Sequence, residues 1–234
     1  MQSLMRTACL AAVAVFAFAA GARQDGVILK RIAKVGDTIK YRMKADLDLK
    51  GSTVSLTSLI TEKVTKVADD GTYTIDSKTT EGKVAYQGET TPQADGATTV
   101  TFKANGQLVL YIAEQDDPNI YRMVNLQSLH FSPNPVKVGD SWNVTIPKDD
   151  RGSVDASGTC KVEAQEQVLG HDTLRIHVIL KESIDKDPAS VDATYWVDPK
   201  DGSVVELTGT WTNAPWPSPV GPATAKVTLM REGG

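Results

Sequence analysis

Histidine, cysteine and aromatic residues are scarce in this sequence. It contains 3 histidines and 2 cysteines, and aromatic residues make up 6% of it. The histidines are His130, His171 and His177, and none of them lies at the spacing of a zinc-binding pair on a helix or a strand. We therefore expect no metal site and no cofactor.

One apolar run stands at the N-terminus. It covers residues 8–20, follows Arg6 and ends in the small residues 20–22, which is the pattern of a cleavable signal peptide. A helix that spans a bilayer needs about 20 apolar residues, so this run is too short to be an anchor. The pattern predicts residues 1–22 as a signal peptide, an exported protein of the periplasm or cell exterior, and no transmembrane segment after cleavage.

Cleavage would leave Cys160 as the one thiol of the chain, which excludes an internal disulfide. The formal net charge is -4, the loss of Arg6 makes it one unit more negative, and the basic residues form no cluster. An acidic chain without a basic patch is not expected to bind nucleic acid or anionic lipid.

Thr, Val and Tyr recur through the mature region, and glycine-containing pairs interrupt them at short intervals. This composition is typical of antiparallel strands joined by tight turns. The predicted turns are Lys50-Gly51, Asp70-Gly71, Asn105-Gly106, Leu169-Gly170 and Asp201-Gly202. We expect a two-residue hairpin turn at Asn105-Gly106, because both residues tolerate a positive φ.

A Lys-Val-Gly-Asp motif occurs twice, at residues 34–37 and 137–140, and an aromatic residue follows each copy. Two later glycines in each part keep the same order. This repetition predicts an internal duplication, with a first β unit over residues 23–131 and a second over residues 132–234. The expected fold is mainly β: two tandem antiparallel units in a curved sheet, half-barrel or sandwich, with one short linking helix.

That helix is predicted between the units. Residues 117–118 (Asp-Pro) can start a helix, and apolar residues then recur at a spacing of three from Ile120 to Leu129. The helix should end before Pro133. The segment 213–222 contains four prolines, so we predict a loop there and not a central strand.

Residues 174–180 alternate between an apolar and a more polar face, which predicts a one-sided strand. Its expected partner is 159–167, in the register that sets Cys160, Val162 and Ala164 opposite Leu180, Val178 and Ile176. This register buries Cys160 among apolar side chains, so we interpret it as a core residue and not as a nucleophile. It also sets Glu163 opposite His177.

No motif of a serine hydrolase, a phosphate-binding loop or a zinc protease is present. We therefore expect no catalytic residue. Glu182, Asp192 and Glu206 can in principle supply a carboxylate pair, so an enzyme whose site is assembled from distant residues stays open as an alternative.

The four tryptophans mark a core or a recognition surface. We expect Trp142 and Trp196 in the core. Trp211 and Trp216 flank the proline-rich segment, where packing and ligand contact both stay open, and they are the candidate ligand-binding residues.

The segments 135–142 (PVKVGDSW) and 195–202 (YWVDPKDG) resemble the strand entry and closing hairpin of uncharacterised secreted bacterial β-modules. Some of these modules resemble the open half-barrel of periplasmic lipoprotein carriers, in which a curved antiparallel sheet wraps a helix or an acyl chain. The resemblance implies export and this fold, and it implies no functional residue. The favoured function is binding of a small apolar ligand or a cell-envelope partner. The alternative is a structural or interaction module that docks through strand edges or the segment 213–222.

Overall fold

The computed structural model describes residues 26–49, 51–114, 117, 119–216 and 221–233. The predicted signal peptide lies outside these residues. These described residues form twelve strands and one helix: β1 Thr38–Asp48, β2 Thr53–Val67, β3 Tyr73–Tyr86, β4 Glu89–Pro92, β5 Gly96–Phe102, β6 Leu108–Ala113, α1 Ile120–Gln127, β7 Ser141–Ile146, β8 Ala156–Val168, β9 His171–Glu182, β10 Ser190–Val197, β11 Val204–Trp216 and β12 Gly221–Arg231.

All the strands join in one antiparallel sheet. Their order is β6-β5-β3-β2-β1-β12-β11-β10-β9-β8-β7, and the short β4 pairs with β3 outside this path. The first and last strands, β1 and β12, pair at the centre. In the described part of the chain the sheet is open, with β6 and β7 at its edges. The predicted mainly β fold is confirmed, with β1–β6 as the first half of the sheet and β7–β12 as the second half.

The two Val-Gly-Asp segments have the same local structure. Gly36 donates its backbone N–H to the carbonyl of Val64 at 2.9 Å, and Gly139 donates to that of Val162 at 2.8 Å. The two glycines have φ angles of 96° and 95°, which a residue with a side chain rarely adopts. These shared bonds support the predicted duplication, which stays a prediction.

Helix α1 packs on one face of the sheet, against β10 and β11 of the second half and the edge strand β6 of the first, and we call this the interior face of the sheet. Met123 and Leu126 of the helix are buried in the main core. The Tyr195 hydroxyl donates to the carbonyl of Gln127 at 2.9 Å and ties β10 to the end of the helix. The predicted linking helix is confirmed. No helix in the described ranges is long and apolar enough to cross a membrane.

The loop predicted over residues 213–222 is wrong for its described part. Residues 213–216 continue β11, residues 221–222 begin β12, and Pro215 pairs with Pro222. Both prolines lie beyond the last pairing of the neighbouring strands, since β10 ends its pairing with β11 at Thr212 and β1 ends its pairing with β12 at Thr224. On such an unpaired flank the missing proline N–H costs no ladder hydrogen bond.

The predicted register of the β8–β9 hairpin is also wrong, by two residues. Cys160 pairs with Val178 and not with Leu180, although it still faces the interior. The hairpin closes through a two-residue turn, Leu169-Gly170, in which both residues have positive φ, and His171 is the first residue of β9. This turn accounts for one residue of the difference between the predicted and the observed register. A bulge between Val162 and Ala164 accounts for the second.

The turn at Asn105-Gly106 exists but is not the two-residue type. Lys103 pairs with Gln107, so three residues form the loop, and Gly106 alone has a positive φ. The N–H of Gly106 donates to the carbonyl of Lys103 at 2.9 Å. A Cβ at position 106 would meet the carbonyl oxygen of Leu129, so this glycine also permits the close approach of the chain that follows α1.

Candidate ligand-binding cavity

A cavity lies on the interior face of the first half, and alternate strand residues form its walls. Successive side chains of a strand point to opposite faces, so every second residue of β1 lines it: Ile39, Tyr41, Met43 and Ala45. The same alternation holds on the neighbouring strands, and most of the lining is apolar. Examples are Ile60, Val64, Ile75, Val100, Phe102 and Leu229.

The cavity has a volume of about 410 Å³, within the range of about 300 to 1,000 Å³ that is usual for small-molecule sites. Its lining extends along β1 from Ile39 to Ala45, which is about 20 Å at about 3.3 Å per residue. Helix α1 contributes Val124 and Gln127 to the opposite wall. The shape therefore suits an elongated ligand.

The cavity lies mainly over the first half, and residues of β10, β11 and β12 complete its lining. Farther into the second half, the interior face is buried in a core that it shares with α1. There, neighbouring interior residues on β8, β9 and β10 share a core with the helix and are at most 2% exposed: Val162, Ile176 and Tyr195. Val162 corresponds to Val64 of the first half, because each accepts a hydrogen bond from the glycine of a Val-Gly-Asp segment and each is followed directly by a bulge. The strand pairing then gives the matching row of the first half: Val64, Ile75 and Val100. All three residues of the first-half row line the cavity, whereas in the second-half row Tyr195 lines it and Val162 and Ile176 do not.

The next row differs in polarity between the two halves. In the second half it is apolar and at most 2% exposed, and it consists of Cys160, Val178 and Ala193. In the first half the matching residues line the cavity and are polar: Glu62, Ser77 and Thr98. The second half shows that strand pairing accepts apolar residues in this row. Its polarity in the first half is therefore a property of the cavity and not a requirement of the sheet.

Glu62 lies between two apolar residues on the interior face of β2, and its side chain is half-buried. Among the described residues, no side chain forms a hydrogen bond or ion pair with its carboxyl group. Burial raises the pKa of Glu62 from 4.5 to about 7, and the positive charge of Arg31 offsets part of the increase. Near neutral pH the carboxyl group therefore exists in both protonation states.

Arg31 lies at the same end of the cavity and is 9% exposed. Its guanidinium donates to the backbone carbonyl of Asp201 at 3.1 Å and to the carboxylate of the same residue at 3.3 Å. The Asp37 carboxylate is 4.0 Å from its second terminal nitrogen. Two aspartate carboxylates thus lie within 4.0 Å of Arg31 before Glu62 is considered.

Two tyrosines from β1 and β3 line this end as well. The Tyr41 hydroxyl donates to the carbonyl of Val204 at 3.1 Å. Burial raises the pKa of Tyr41 and of Tyr73, and the negative charge of Glu62 adds to the increase in both. Both phenols are therefore neutral over the physiological pH range.

Trp211 and Trp216, the candidate ligand-binding residues, both line the cavity. Trp211 is fully buried and Trp216 is half-buried. Each indole N–H is buried and lacks a hydrogen-bond partner in the part of the chain that the structure describes. Strand pairing sets Trp211 level with Leu47, which lies near one end of β1. The β1 residue that pairs with Glu62 lies near the other end. Their contact with a ligand stays a prediction.

The predictions for the other two tryptophans have different outcomes. Trp142 packs against the core and its indole donates to the carbonyl of His130 at 2.9 Å, as expected for a core residue. The core position predicted for Trp196 is wrong. Its neighbours Tyr195 and Val197 face the interior, so alternation places Trp196 on the outer face, where it donates to the Glu166 carboxylate at 2.6 Å.

The predicted burial of Cys160 is confirmed, since the residue is 0% exposed. Burial raises the pKa of its thiol to about 12, which disfavours the reactive thiolate. Glu163 lies in the bulge and is not opposite His177 in the ladder, but its carboxylate is still 3.9 Å from the imidazole. His177 is closer to Asp192, at 2.8 Å.

The acidic residues considered for catalysis occupy separate strands. Glu182 is 3% exposed and forms an ion pair with Arg122 at 2.6 Å. Asp192 contacts a histidine on the outer face, and Glu206 pairs with Trp196 in the ladder. Within the described ranges, no three His, Cys, Asp or Glu side chains are grouped closely enough to hold a metal ion.

Sequence reasoning missed Glu62, although a signal for it exists. The stretch Ile60-Thr61-Glu62-Lys63-Val64 alternates, and its apolar face contains one acid. An acid on the apolar face of a strand must either find a partner or face a cavity, because an isolated buried carboxylate is costly.

Comparisons with known proteins add little to this geometry. No protein-family model matches the chain, and no curated protein is similar to it in sequence. Among the solved structures that match, that of DynF from the dynemicin biosynthesis pathway of Micromonospora chersina is similar over 92% of this chain and 86% of its own length. The identity is 11% and the TM-score is 0.22, too low to support any inference about fold or function.

Proposed function

We propose that this chain is an exported, internally duplicated, non-catalytic protein that binds an elongated apolar ligand in the first-half cavity. The observation that carries the proposal is the unequal use of the interior face. The interior faces of β8 and β9 are buried in a core that they share with α1. The interior faces of β1, β2, β3 and β5 instead line a cavity of about 410 Å³, which residues of β10, β11 and β12 complete.

The composition of the walls supports a ligand role. Specific sites for small molecules are mostly apolar and contain a few polar groups that orient the ligand. Here the polar groups gather near the Glu62 end, and most of the remaining lining along β1 and β12 is apolar. Covering this apolar surface with a hydrocarbon chain is favourable by about 25 cal/mol per Å².

A structural or interaction module is the second candidate, because the edge strand β6 exposes Leu110 and Ile112 at 42% and 52%. An exposed apolar edge can pair with a partner strand. An enzyme is the third candidate. It would need acids and histidines that converge in one cleft, and the cavity lining contains no histidine among the described residues.

The proposal is tested by filling the cavity. Val100 faces the cavity, so Val100→Phe should place a ring inside it and change the free energy of unfolding by less than about 1 kcal/mol. Twelve-carbon amphiphiles should displace an anilinonaphthalene dye from the unaltered protein but bind Val100→Phe at least about tenfold more weakly. Val138→Phe is the matched control, since Val138 is 42% exposed and does not line the cavity. Equal binding by both variants would exclude the cavity as the site.

The export proposal needs a separate test. N-terminal sequencing of protein from the exported fraction should find a start within about two residues of Arg23. Recovery of the protein with Met1 intact would contradict export.

A further inference from the structure

We propose that the polar end of the ligand is a cation, of the primary ammonium class, and that Glu62 binds it. This inference rests on the proposed function, because it names the class of ligand that the same cavity would hold. It also makes Glu62 the residue that selects between ligands with equal hydrocarbon chains.

The first reason is that the Glu62 carboxyl group faces the cavity without a protein partner, as described above. A buried carboxylate needs a hydrogen-bond donor or an opposite charge. Because the described protein groups supply neither, a ligand that occupies this end of the cavity can supply both. An ammonium group fits best, since it carries a positive charge and three donors.

The second reason is the charge balance at this end of the cavity. Three charged groups line this end: Arg31 before β1, Asp37 in the first turn and Glu62 on β2. Two more lie close enough for their charges to act on Tyr41: Asp201 in the β10–β11 turn and Arg231 on β12. The two arginines offset two of the three acids, which leaves one negative charge when Glu62 is ionised. The neighbouring tyrosines on β1 and β3 are neutral. A cation therefore completes the balance, whereas a carboxylate ligand would double the excess.

The third reason is the polar row itself. Ser77 pairs with Glu62 and Thr98 pairs with Ser77, so their side chains stand about 4.5 to 5.5 Å apart across the strands. Their hydroxyl oxygens can accept hydrogen bonds from the ammonium protons that Glu62 leaves free. The second half has apolar residues in this row, and they are buried in the core shared with α1.

The tail of such a ligand would extend away from this row along β1. Met43 and Ala45 continue the lining in that direction, and Trp211 follows at the far end. From the Glu62 row, level with Ile39, to Trp211, level with Leu47, the path for a hydrocarbon chain is about 26 Å long at about 3.3 Å per residue.

Dodecylamine, dodecanol and dodecanoate share one chain length and differ in their head group, so their competition with the dye measures head-group preference. At about pH 7.5 dodecylamine should bind at least about tenfold more tightly than dodecanoate. Its affinity should rise about thirtyfold between about pH 5.5 and pH 8, as Glu62 loses its proton while the amine keeps its own. Dodecanol should show little dependence on pH.

Glu62→Gln should lower the affinity for dodecylamine about tenfold or more, abolish its pH dependence and leave dodecanol binding within about threefold. Glu89→Gln, at an exposed acid on β4, is the matched control and should change nothing. If dodecanoate binds as tightly as dodecylamine, or if Glu62→Gln leaves the preference intact, the cation assignment is overturned while the cavity remains a binding site. If none of the three compounds binds, the proposed function itself fails.

Discussion

The perturbed titration of Glu62 predicts a specific pH dependence of stability. Its pKa is about 7 in the folded protein and 4.5 as the ordinary value. Since the folded pKa is raised, the folded state holds this proton more tightly than the unfolded state. The stability that the protonated group contributes is complete below about pH 4.5 and is lost as the pH rises through about 7. A difference of about 2.5 pKa units corresponds to about 3 kcal/mol.

Replacement of Glu62 by glutamine removes this loss. The free energy of unfolding of Glu62→Gln, relative to that of the unaltered protein, should therefore increase by about 3 kcal/mol between about pH 4.5 and pH 8. Urea unfolding followed by tryptophan fluorescence at steps of pH, on protein freed of ligand, measures this difference. Glu89→Gln should give a curve parallel to that of the unaltered protein. A parallel curve for Glu62→Gln would show that Glu62 titrates as an ordinary exposed acid.

Three further predictions concern packing. Trp216→Ala should weaken dodecylamine binding. It should lower the free energy of unfolding by well under the roughly 3 to 5 kcal/mol expected for Trp211→Ala, because Trp216 is half-buried and Trp211 is 0% exposed. Equal losses of stability in urea unfolding would contradict this. Cys160 should react with a thiol reagent slowly in the native protein and quickly in urea, and fast native labelling would contradict its burial. Gly158→Ala should destabilise the protein by about 3 kcal/mol or more, because a Cβ there would lie 1.8 Å from a backbone oxygen of β9. Gly96→Ala, where a Cβ would meet no atom, should be neutral, and similar melting temperatures for the two variants would refute the contact.

The strands and the helix could be predicted from the sequence because they depend on local patterns. Alternation identifies the interior face of β9, and the Asp-Pro start with a spacing of three identifies α1. The register of β8 on β9 could not be predicted, because it depends on a bulge at Glu163 that no local pattern reveals. The pairing of Pro215 with Pro222 could not be predicted either, because a strand accepts a proline there only where the pairing of the neighbouring strands β10 and β1 has ended.

The site was predicted only in part, for a similar reason. Trp211 and Trp216 attract notice as rare, large residues, and both line the cavity. Glu62 is an ordinary acid in an ordinary strand until the fold shows that it faces a cavity and that Cys160 is its counterpart in the second half. The position of α1 between β6 and the strands β10 and β11 depends on tertiary packing, which the sequence pattern does not encode directly.

The methionine methyl groups offer the most direct test of ligand binding in the cavity. Met43 lines the cavity, Met123 is a buried residue of α1, and Met230 lies on the outer face of β12 at 41% exposure. In protein labelled with ¹³C at the methionine methyls, saturating dodecylamine should shift the Met43 signal and give nuclear Overhauser effects from the alkyl chain to that methyl, with none to Met230. Saturable binding with effects at Met230, or without any at Met43, would place the ligand elsewhere and contradict the account.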